Sequence, residues 1–383
     1  MKRLKSLLKG LVIFIGLLVI TLYIFDLDYL LKATRTIYLN GHTTAFLKDY
    51  EVFDNRTINA STAQPWANHK DYNNASITER LADTNKELGT IAYVIIKNDS
   101  VWFETYYEDF GVDSKSNSFS MVKSMVSAML GKAIMEGHIE SLDQPVSDFF
   151  PEFSDGLGAK LTVGDLSSMS SGLEWDEAYY SPFSITTRAY FYDDLEKMML
   201  ELDITSEPGT AFKYLSGNTQ LLGMVIEKAT GQTLSEYLSN KFWKPFGAEH
   251  AALWQLDSEE GGLEKAYCCL ASNARDFARF GKLYKDHGRW NGQQILDSAF
   301  VAKSVTPRFP ESPEYGYGWW LHQQDGKDFF MMRGHLGQYV IVEPNDNVII
   351  VRLGHKKSPD AGIGVFTKDI SIYIEEAYKM MSQ

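Results

Sequence analysis

A hydroxyl and an amine stand three positions apart in the stretch Phe-Ser-Met-Val-Lys-Ser at residues 119–124. Residues at this spacing share one face of a helix, so the side chains of Ser120 and Lys123 can touch. A serine hydroxyl becomes a good nucleophile when a neighbouring base takes its proton, and a partly desolvated lysine can be that base. The pair therefore indicates nucleophilic catalysis. The alternative is a serine at a helix start followed by an unrelated lysine, because Ser-x-x-Lys is common by chance.

The residues that follow predict the helix that positions this pair. Apolar side chains recur at spacings of three and four from Val122 to Ala133, and Gly137 supplies a helix end. Ser120 is then expected near a helix N-terminus, where unpaired backbone N–H groups favour developing negative charge.

Two later stretches carry side chains suited to proton transfer or binding. Tyr214 precedes a predicted helix over residues 218–230, and a phenol whose pKa is lowered by the adjacent Lys213 can relay protons. His335 lies between glycines in Arg-Gly-His-Leu-Gly-Gln at residues 333–338, where a ligand can approach the backbone closely. Each also fits a structural role, as a turn tyrosine before a helix N-cap and as a surface histidine in a hairpin.

Composition narrows the classes of partner. The chain has 383 residues, 44% hydrophobic content and a formal net charge of -13, enough for a sizeable core in one large domain or two interleaved subdomains. Nucleic acid is not expected, because phosphate binding needs clustered Lys and Arg. The histidines are scattered and no His-Glu-x-x-His is present, so a metal site is not supported. The adjacent Cys268 and Cys269 offer no ordinary disulfide framework and are interpreted as buried apolar fillers.

The N-terminus predicts a membrane anchor. Basic side chains within residues 1–9 precede an apolar run that we extend over residues 10–27, close to the roughly 20 residues that a bilayer needs. The run ends without the small residues of a cleavage site, which favours an uncleaved signal anchor over a cleaved signal peptide. The positive-inside rule places residues 1–9 in the cytoplasm and the rest outside it. We expect a single-pass cell-membrane protein with an extracytoplasmic domain on the periplasmic or outer face.

Strand and helix patterns predict an α/β (α+β) fold. Strand-like runs lie at residues 91–96 and 101–106, joined by a hairpin turn, and again between residues 317 and 353. The intervening chain is mainly helical, and residues 366–381 predict a closing amphipathic helix. This order predicts one antiparallel sheet built from both chain ends, with flanking helices and an inserted, mostly helical lobe.

The polar stretch between the span and the sheet predicts a separate segment. We expect residues 28–85 to form a tether and an N-terminal arm that packs on the globular domain, with that domain occupying residues 86–383. The helix of Ser120 is expected where the helical lobe meets the sheet, which is the usual place for a cleft.

Three motifs occur in an order that resembles a known superfamily: Ser-x-x-Lys at Ser120, Tyr-x-Ser at Tyr214 and His-x-Gly at His335. The chain resembles the serine β-lactamase-like and penicillin-binding superfamily related to class C β-lactamases, from residue 91 to the C-terminus. Within it, the sequence is most similar to the branch of 6-aminohexanoate-dimer hydrolase and related esterases, which shares Tyr-x-Ser-Gly-Asn. Further matching stretches lie at residues 137–146, 161–173, 208–210, 274–281 and 317–319.

The resemblance implies a β-lactamase-like fold and a role for each matching residue. Ser120 is expected to attack a carbonyl and form an acyl-enzyme, with Lys123 and Tyr214 acting as general base and acid. The backbone N–H groups of Ser120 and Gln338 are expected to form the oxyanion hole. The expected substrate-binding residues are Ser216, His335, Gly337, Tyr179 and Tyr180.

Two positions depart from the β-lactamases. Ser216 stands where they carry an asparagine and His335 where they carry a lysine, and those groups hold the amide side chain and the carboxylate of a β-lactam. The departures favour another ester or amide. The resemblance also places Trp175, Tyr179 and Tyr180 on a loop over the cleft, with ordinary loop packing as the alternative.

The leading hypothesis is therefore a membrane-anchored, cofactor-free serine hydrolase that cleaves ester or amide bonds in small molecules or peptides. The alternative is a non-enzymatic, penicillin-binding-like receptor or a protein that binds peptides or cell-wall fragments. The sequence leaves four substrate classes open: D-amino peptides, lipid esters, amide oligomers and β-lactams.

Overall fold

The computed structural model describes residues 1–383, apart from the side chain of Lys2. The helices are α1 (Lys2–Ile24), α2 (Tyr29–Thr36), α3 (Glu79–Glu87), α4 (Val122–Met135), α5 (Val163–Ser167), α6 (Ile185–Phe191), α7 (Leu195–Leu200), α8 (Ser216–Thr230), α9 (Leu234–Leu238), α10 (Ala274–Lys285), α11 (Ser298–Ser304) and α12 (Lys368–Met381). The strands are β1 (Asn55–Ile58), β2 (Ala67–Asn68), β3 (Thr90–Lys97), β4 (Ser100–Tyr106), β5 (Ser116–Asn117), β6 (Ala252–Gln255), β7 (Leu270–Ser272), β8 (Arg289–Trp290), β9 (Gln293–Gln294), β10 (Trp320–Gln324), β11 (Lys327–Gly334), β12 (Gln338–Glu343) and β13 (Val348–Gly354).

The main sheet joins both ends of the globular part. Its seven strands run in the order β10-β11-β12-β13-β3-β4-β2, and neighbouring strands are antiparallel except for β2 and β4. The central pairing sets Val94 opposite Val351 and Ile95 opposite Ile350. The predicted sheet from early and late strands, with a mostly helical insertion between them, is thereby confirmed.

Helices cover both faces of this sheet, which explains why its strands are apolar on both sides. Tyr93 and Ile95 pack on the side of α12, in a cluster with Ile370 and Tyr373. Val94 and Ile96 alternate with them and join the larger core that includes α4, α8 and α10. The helix of Ser120 therefore packs between the sheet and the helical lobe.

A second, smaller sheet was not predicted. Four short antiparallel strands lie in the order β1-β6-β7-β5, and they bring the N-terminal arm (residues 28–85) against the middle of the chain. At the other edge, Asn117 of β5 pairs with Ala271 of β7. This sheet therefore supports the turn that leads directly into Ser120.

Helix α1 stands apart from the globular core. Its segment Arg3–Ile24 is strongly apolar, and the most apolar part of this segment is not buried against the rest of the protein. The helix is long and apolar enough to span a membrane or to serve as a signal sequence. Four residues, 25–28, connect it to α2, whose residues Tyr29 and Ala33 are buried against the globular part.

Candidate active site

Ser120 and Lys123 meet at the start of α4. Ser120 lies in a 3-10 turn over Phe119–Met121, and α4 continues from Val122, which agrees with the predicted position near a helix N-terminus. Lys123 Nζ lies 2.9 Å from Ser120 Oγ and donates a second hydrogen bond of 2.7 Å to the Tyr267 carbonyl. Only 3% of Lys123 is exposed, and this burial lowers the pKa of its amine to about 7, although the Glu177 carboxylate opposes the shift. The amine is therefore partly uncharged near neutral pH.

The turn before the serine is held in an unusual conformation. Phe119 has a φ of 44°, which is rare for a bulky residue and marks local strain. Its N–H donates a hydrogen bond of 2.7 Å to the Asn117 side chain, and Asn117 donates one of 2.8 Å to the buried Asp49 carboxylate. The Ser118 carbonyl lies so close to Gly334 that a side chain there would clash with it. Neighbouring elements therefore fix the strained turn.

Tyr214 lies on the loop before α8, close to both residues. The N–H of the preceding residue, Lys213, donates a hydrogen bond of 2.8 Å to the Met169 carbonyl, and this bond fixes the backbone beside Tyr214. Its ring packs on Trp320, and Lys123 Nζ lies 5.2 Å from the ring centroid. A hydrogen bond with the Ser120 side chain favours the phenolate, but burial and the Glu177 carboxylate together raise the pKa of Tyr214.

The predicted influence of Lys213 on Tyr214 is wrong. Lys213 is exposed and does not contribute to the shift, whereas burial dominates and moves the pKa upward. Tyr214 is consequently a neutral phenol at ordinary pH, which can donate a proton or pass one between neighbours.

Sequence reasoning missed Glu177, a carboxylate that acts on both Lys123 and Tyr214. It accepts hydrogen bonds from the Ser216 N–H at 2.8 Å, from the Ser216 hydroxyl at 2.5 Å and from the Tyr179 hydroxyl at 2.6 Å. It also acts electrostatically on Lys123 and Tyr214. A single glutamate in a polar loop gives no periodic or motif signal, so only the fold could reveal this position.

The rings of Tyr179 and Tyr180 pack near His335. The ring centroids of Tyr179 and Tyr180 lie 5.2 Å and 6.1 Å from that of His335, and Phe119 packs edge-on at 5.6 Å. Burial and the charge of Lys357 lower the pKa of His335 to about 4, so this imidazole is neutral at pH 7. Trp175 is instead buried and packs near Tyr267, which is ordinary loop packing.

Gln338 and Gly337 lie at the start of β12. The Gln338 side chain is fully buried and exchanges two hydrogen bonds with the backbone of Gly354, at 2.6 Å and 3.0 Å, so it faces away from solvent. Gly337 has a φ of 84°, and a side chain there would clash with the Arg352 guanidinium. Its glycine is therefore required by the protein's own packing.

A cavity of about 420 Å³ opens beside Ser120. Of the predicted site residues, it is lined by Ser120, Ser216, Tyr179, Tyr180 and His335. Lys123, Tyr214, Gly337 and Gln338 are not among its lining residues. Within the described part of the chain, no group of three or more His, Cys, Asp or Glu side chains could hold a metal ion.

The adjacent cysteines differ from the interpretation as simple apolar fillers. Cys268 and Cys269 are buried, but they are joined to each other by a disulfide bond. Cys269 has a φ of 73°, and the residue before the pair is Tyr267, whose carbonyl accepts a hydrogen bond from Lys123.

The chain matches one protein-family model over most of its length. The sequence model described as Beta-lactamase matches residues 75–365. The chain belongs to the beta-lactamase family. The resemblance carried by the Ser120, Tyr214 and His335 motifs is thereby confirmed, and so is the fold class that it implied.

Individual relatives and solved structures are consistent with this family assignment. The chain is 25% identical over 311 residues to the 6-aminohexanoate-dimer hydrolase of Paenarthrobacter ureafaciens, covering 74% of this chain and 78% of that protein. A solved structure titled putative 6-aminohexanoate-dimer hydrolase from Bacillus anthracis superposes with a TM-score of 0.72 at 22% identity, covering 88% of this chain and 92% of that one. D-amino acid amidase from Ochrobactrum anthropi SV3 gives a TM-score of 0.60 at 17% identity, covering 78% and 96%. These relatives are a dimer hydrolase and an amidase by title, and together with the family match they support a beta-lactamase-family hydrolase.

Proposed function

We propose that this protein is a serine hydrolase that cleaves ester or amide bonds through an acyl-enzyme on Ser120. The observation that carries the proposal is the 2.9 Å approach of a buried amine, whose pKa is about 7, to the Ser120 hydroxyl. An uncharged Lys123 can accept the hydroxyl proton as Ser120 Oγ bonds to the acyl carbon. The Tyr267 carbonyl fixes the amine in this position by accepting a second hydrogen bond.

Tyr214 completes the proton path in this proposal. Its neutral phenol lies beside both Ser120 and Lys123, so it can donate a proton to the leaving alkoxide or amine and recover one from Lys123. Water then attacks the acyl-enzyme with the same pair acting in reverse, which releases the acid and restores Ser120.

The negative oxygen of each tetrahedral intermediate needs donors. We assign this role to the backbone N–H groups of Ser120 and Gln338. Each such donor stabilises the transition state by about 3 kcal/mol. The position of Ser120 at the start of α4 supports its share of the role. The buried, doubly bonded side chain of Gln338 supports a backbone role for this residue and excludes a side-chain contact with substrate.

The remaining assignments extend the same proposal. Ser216, His335, Tyr179 and Tyr180 line the substrate cavity, while we assign Gly337 to the support of that wall. We further propose that residues 1–9 are cytoplasmic, that residues 10–27 anchor the chain in the cell membrane, and that residues 28–85 are an arm on an extracytoplasmic domain of residues 86–383. Helix α3 spans the last of these boundaries, since it runs over Glu79–Glu87.

The experiment uses the full chain purified in detergent. A fluorophosphonate probe is expected to label Ser120, located by mass spectrometry of peptides, and Ser120→Ala is expected to lose both labelling and turnover of p-nitrophenyl acetate. Ser124→Ala is the matched control, because this buried hydroxyl donates only to the Gly318 carbonyl and should leave labelling intact. Turnover retained by Ser120→Ala would overturn the proposal, and a stable adduct without turnover would favour the receptor alternative.

A further inference from the structure

The cavity beside Ser120 carries no formal charge on its walls. Among the described residues that line it there is no Asp, Glu, Lys or Arg, and its one histidine, His335, is neutral at pH 7. Thirteen of its 23 lining residues carry aromatic or aliphatic side chains, and eight are serines or threonines. A charged part of a substrate would lose its hydration there without a partner, so the cavity suits an uncharged, apolar group.

The N-terminal arm builds one wall of this cavity. Ala33 and Ile37 of the α2 region are buried and line it, and Phe191 of α6 lies among the residues opposite. Tyr29 of α2 donates a hydrogen bond of 3.0 Å to the Pro182 carbonyl. Lys32 donates 2.9 Å to the Asp257 carbonyl, which fixes the same helix from another side. The wall is therefore part of the folded domain.

The rim of the cavity is apolar and exposed. Tyr38, Tyr180 and Phe183 line the cavity and are 58%, 74% and 71% exposed. Leu39 follows Tyr38 in the chain and is 76% exposed. Exposed aromatic and aliphatic side chains grouped in this way mark an interaction surface, and aromatic side chains favour the interface between membrane and water.

The rim also lies close in sequence to the apolar helix. Helix α1 ends at Ile24, and α2, which carries the cavity wall, begins at Tyr29. A chain anchored through α1 therefore holds the wall formed by α2 close to the bilayer surface, because only residues 25–28 separate the two helices. An apolar chain of a membrane-borne molecule needs to cross little water to enter the cavity.

We propose that the cavity binds the apolar acyl chain of an ester or amide that is taken from the bilayer, which makes a lipid-type molecule the substrate. This inference rests on the proposed serine hydrolase function and names its substrate class. The acyl group is the part assigned to the cavity because it stays bonded to Ser120 through both half-reactions, whereas the leaving group must depart. Ser120 Oγ bonds to the acyl carbon, the alcohol or amine leaves with a proton, and water then releases the free fatty acid.

A chain-length series tests the assignment to the acyl side. The full chain in detergent is given p-nitrophenyl esters from acetyl to dodecanoyl, which share one leaving group. Specificity, measured as kcat/KM, is expected to rise about fourfold per methylene until the cavity is filled, since burial of each methylene contributes about 0.8 kcal/mol. A flat or falling series with Ser120-dependent turnover would overturn this inference while leaving the hydrolase function intact. Absence of Ser120-dependent turnover would instead overturn the proposed function.

A matched pair of variants tests the location. Ala33→Phe places a ring in the cavity and is expected to reduce the ratio of octanoyl to acetyl kcat/KM at least tenfold. Arg35→Phe adds the same ring on the exposed side of the same helix and is expected to keep the ratio. Thermal unfolding shows whether each variant folds. An unchanged ratio in a folded Ala33→Phe protein would contradict the assignment, and the wild-type series decides if that variant does not fold.

A third comparison tests the bilayer as the source. The full chain is reconstituted in phosphatidylcholine vesicles that contain p-nitrophenyl palmitate, and its rate is compared with the rate on the same ester in detergent micelles. Leu39→Asp introduces a charge on the rim outside the cavity lining and is expected to lower the vesicle rate at least fivefold relative to the micelle rate. Equal effects in both settings would contradict delivery from the bilayer.

Discussion

The side-chain amide of Asn117 donates a hydrogen bond of 2.8 Å to the carboxylate of Asp49, a residue of the N-terminal arm. Asn117 in turn accepts the N–H of Phe119, the strained residue before Ser120. Asp49 also accepts 2.7 Å from the Gln255 amide and a hydrogen bond from the Tyr190 hydroxyl. The arm thus contributes a fully buried carboxylate that orients the turn of the nucleophile.

Asp49→Ala is expected to lower both stability and activity. It leaves three buried donors without an acceptor, and each such loss costs about 1–3 kcal/mol. Urea unfolding should show a loss of roughly 3 kcal/mol or more, and kcat should fall at least tenfold as the turn relaxes. Asp49→Asn keeps an acceptor oxygen and is expected to retain most of both. Equal stability of wild type and Asp49→Ala would show that this network does not support the turn.

The pH dependence of kcat/KM should report the amine of Lys123. Burial lowers its pKa to about 7, and only the uncharged form can accept the Ser120 proton. Activity should therefore rise as pH increases through about 7 and then level off, since the raised pKa of Tyr214 keeps the phenol neutral beyond that range. Lys123→Arg cannot lose its proton and should lower kcat by roughly 10²- to 10⁴-fold. An acid limb far from neutrality would exclude Lys123 as the base.

Glu177→Gln should move that limb to lower pH. The carboxylate raises the pKa of Lys123 against the effect of burial, so its removal allows the amine to lose its proton more readily. The amide still accepts a hydrogen bond from Ser216, which preserves the loop. Glu174→Gln is the matched control, because Glu174 is exposed on the same loop. A limb that moves upward, or moves equally in the control, would contradict this role.

Tyr214→Phe should lower the catalytic rate and leave the stability of the protein nearly unchanged. The ring contacts with Trp320 and Tyr315 remain, so the melting temperature should change little. Loss of the hydroxyl should lower kcat by roughly 10²-fold or more, with a smaller change in KM, because proton transfer is affected in the transition state. Tyr315→Phe removes a neighbouring hydroxyl and should keep kcat near wild type.

β-Lactams are expected to be poor substrates. His335 is neutral at pH 7, and the cavity walls lack a cation that could pair with the β-lactam carboxylate. Hydrolysis of nitrocefin should therefore be at least tenfold less efficient than hydrolysis of an uncharged ester. His335→Lys should lower the KM for nitrocefin about tenfold, in line with one charge-assisted hydrogen bond. A wild-type protein that hydrolyses nitrocefin efficiently would contradict the inferred role of this neutral wall.

The main features of the fold follow from local sequence signals. Strands such as β3 and β13 carry long runs of β-branched residues, and α10 and α12 have clear helical periodicity, so their types were predictable. The strands β5 and β7 have two and three residues, which is too short for a periodic pattern. Their pairing nevertheless supports the turn before Ser120, so this part of the site required the structure.

The candidate site also contains residues that the sequence indicated and residues that only the structure revealed. The spacing of Ser120 and Lys123 indicated their proximity, and the family resemblance linked Tyr214 to them. Asp49 and Glu177 belong to no motif, and their contacts with Asn117 and Ser216 join residues far apart in sequence. Such contacts depend on tertiary packing, which one sequence does not specify locally.

The pairing of β3 with β13 has a consequence for biosynthesis. The central strand β3 cannot complete its pairing until β13, which is among the last parts of the chain to be made, has been synthesised. Helix α4 packs on the surface that this pairing completes. In a chain threaded through a membrane during synthesis, the nucleophile then lacks its support until translocation is nearly finished. Activity is therefore expected only after β13 has been made and has paired with β3.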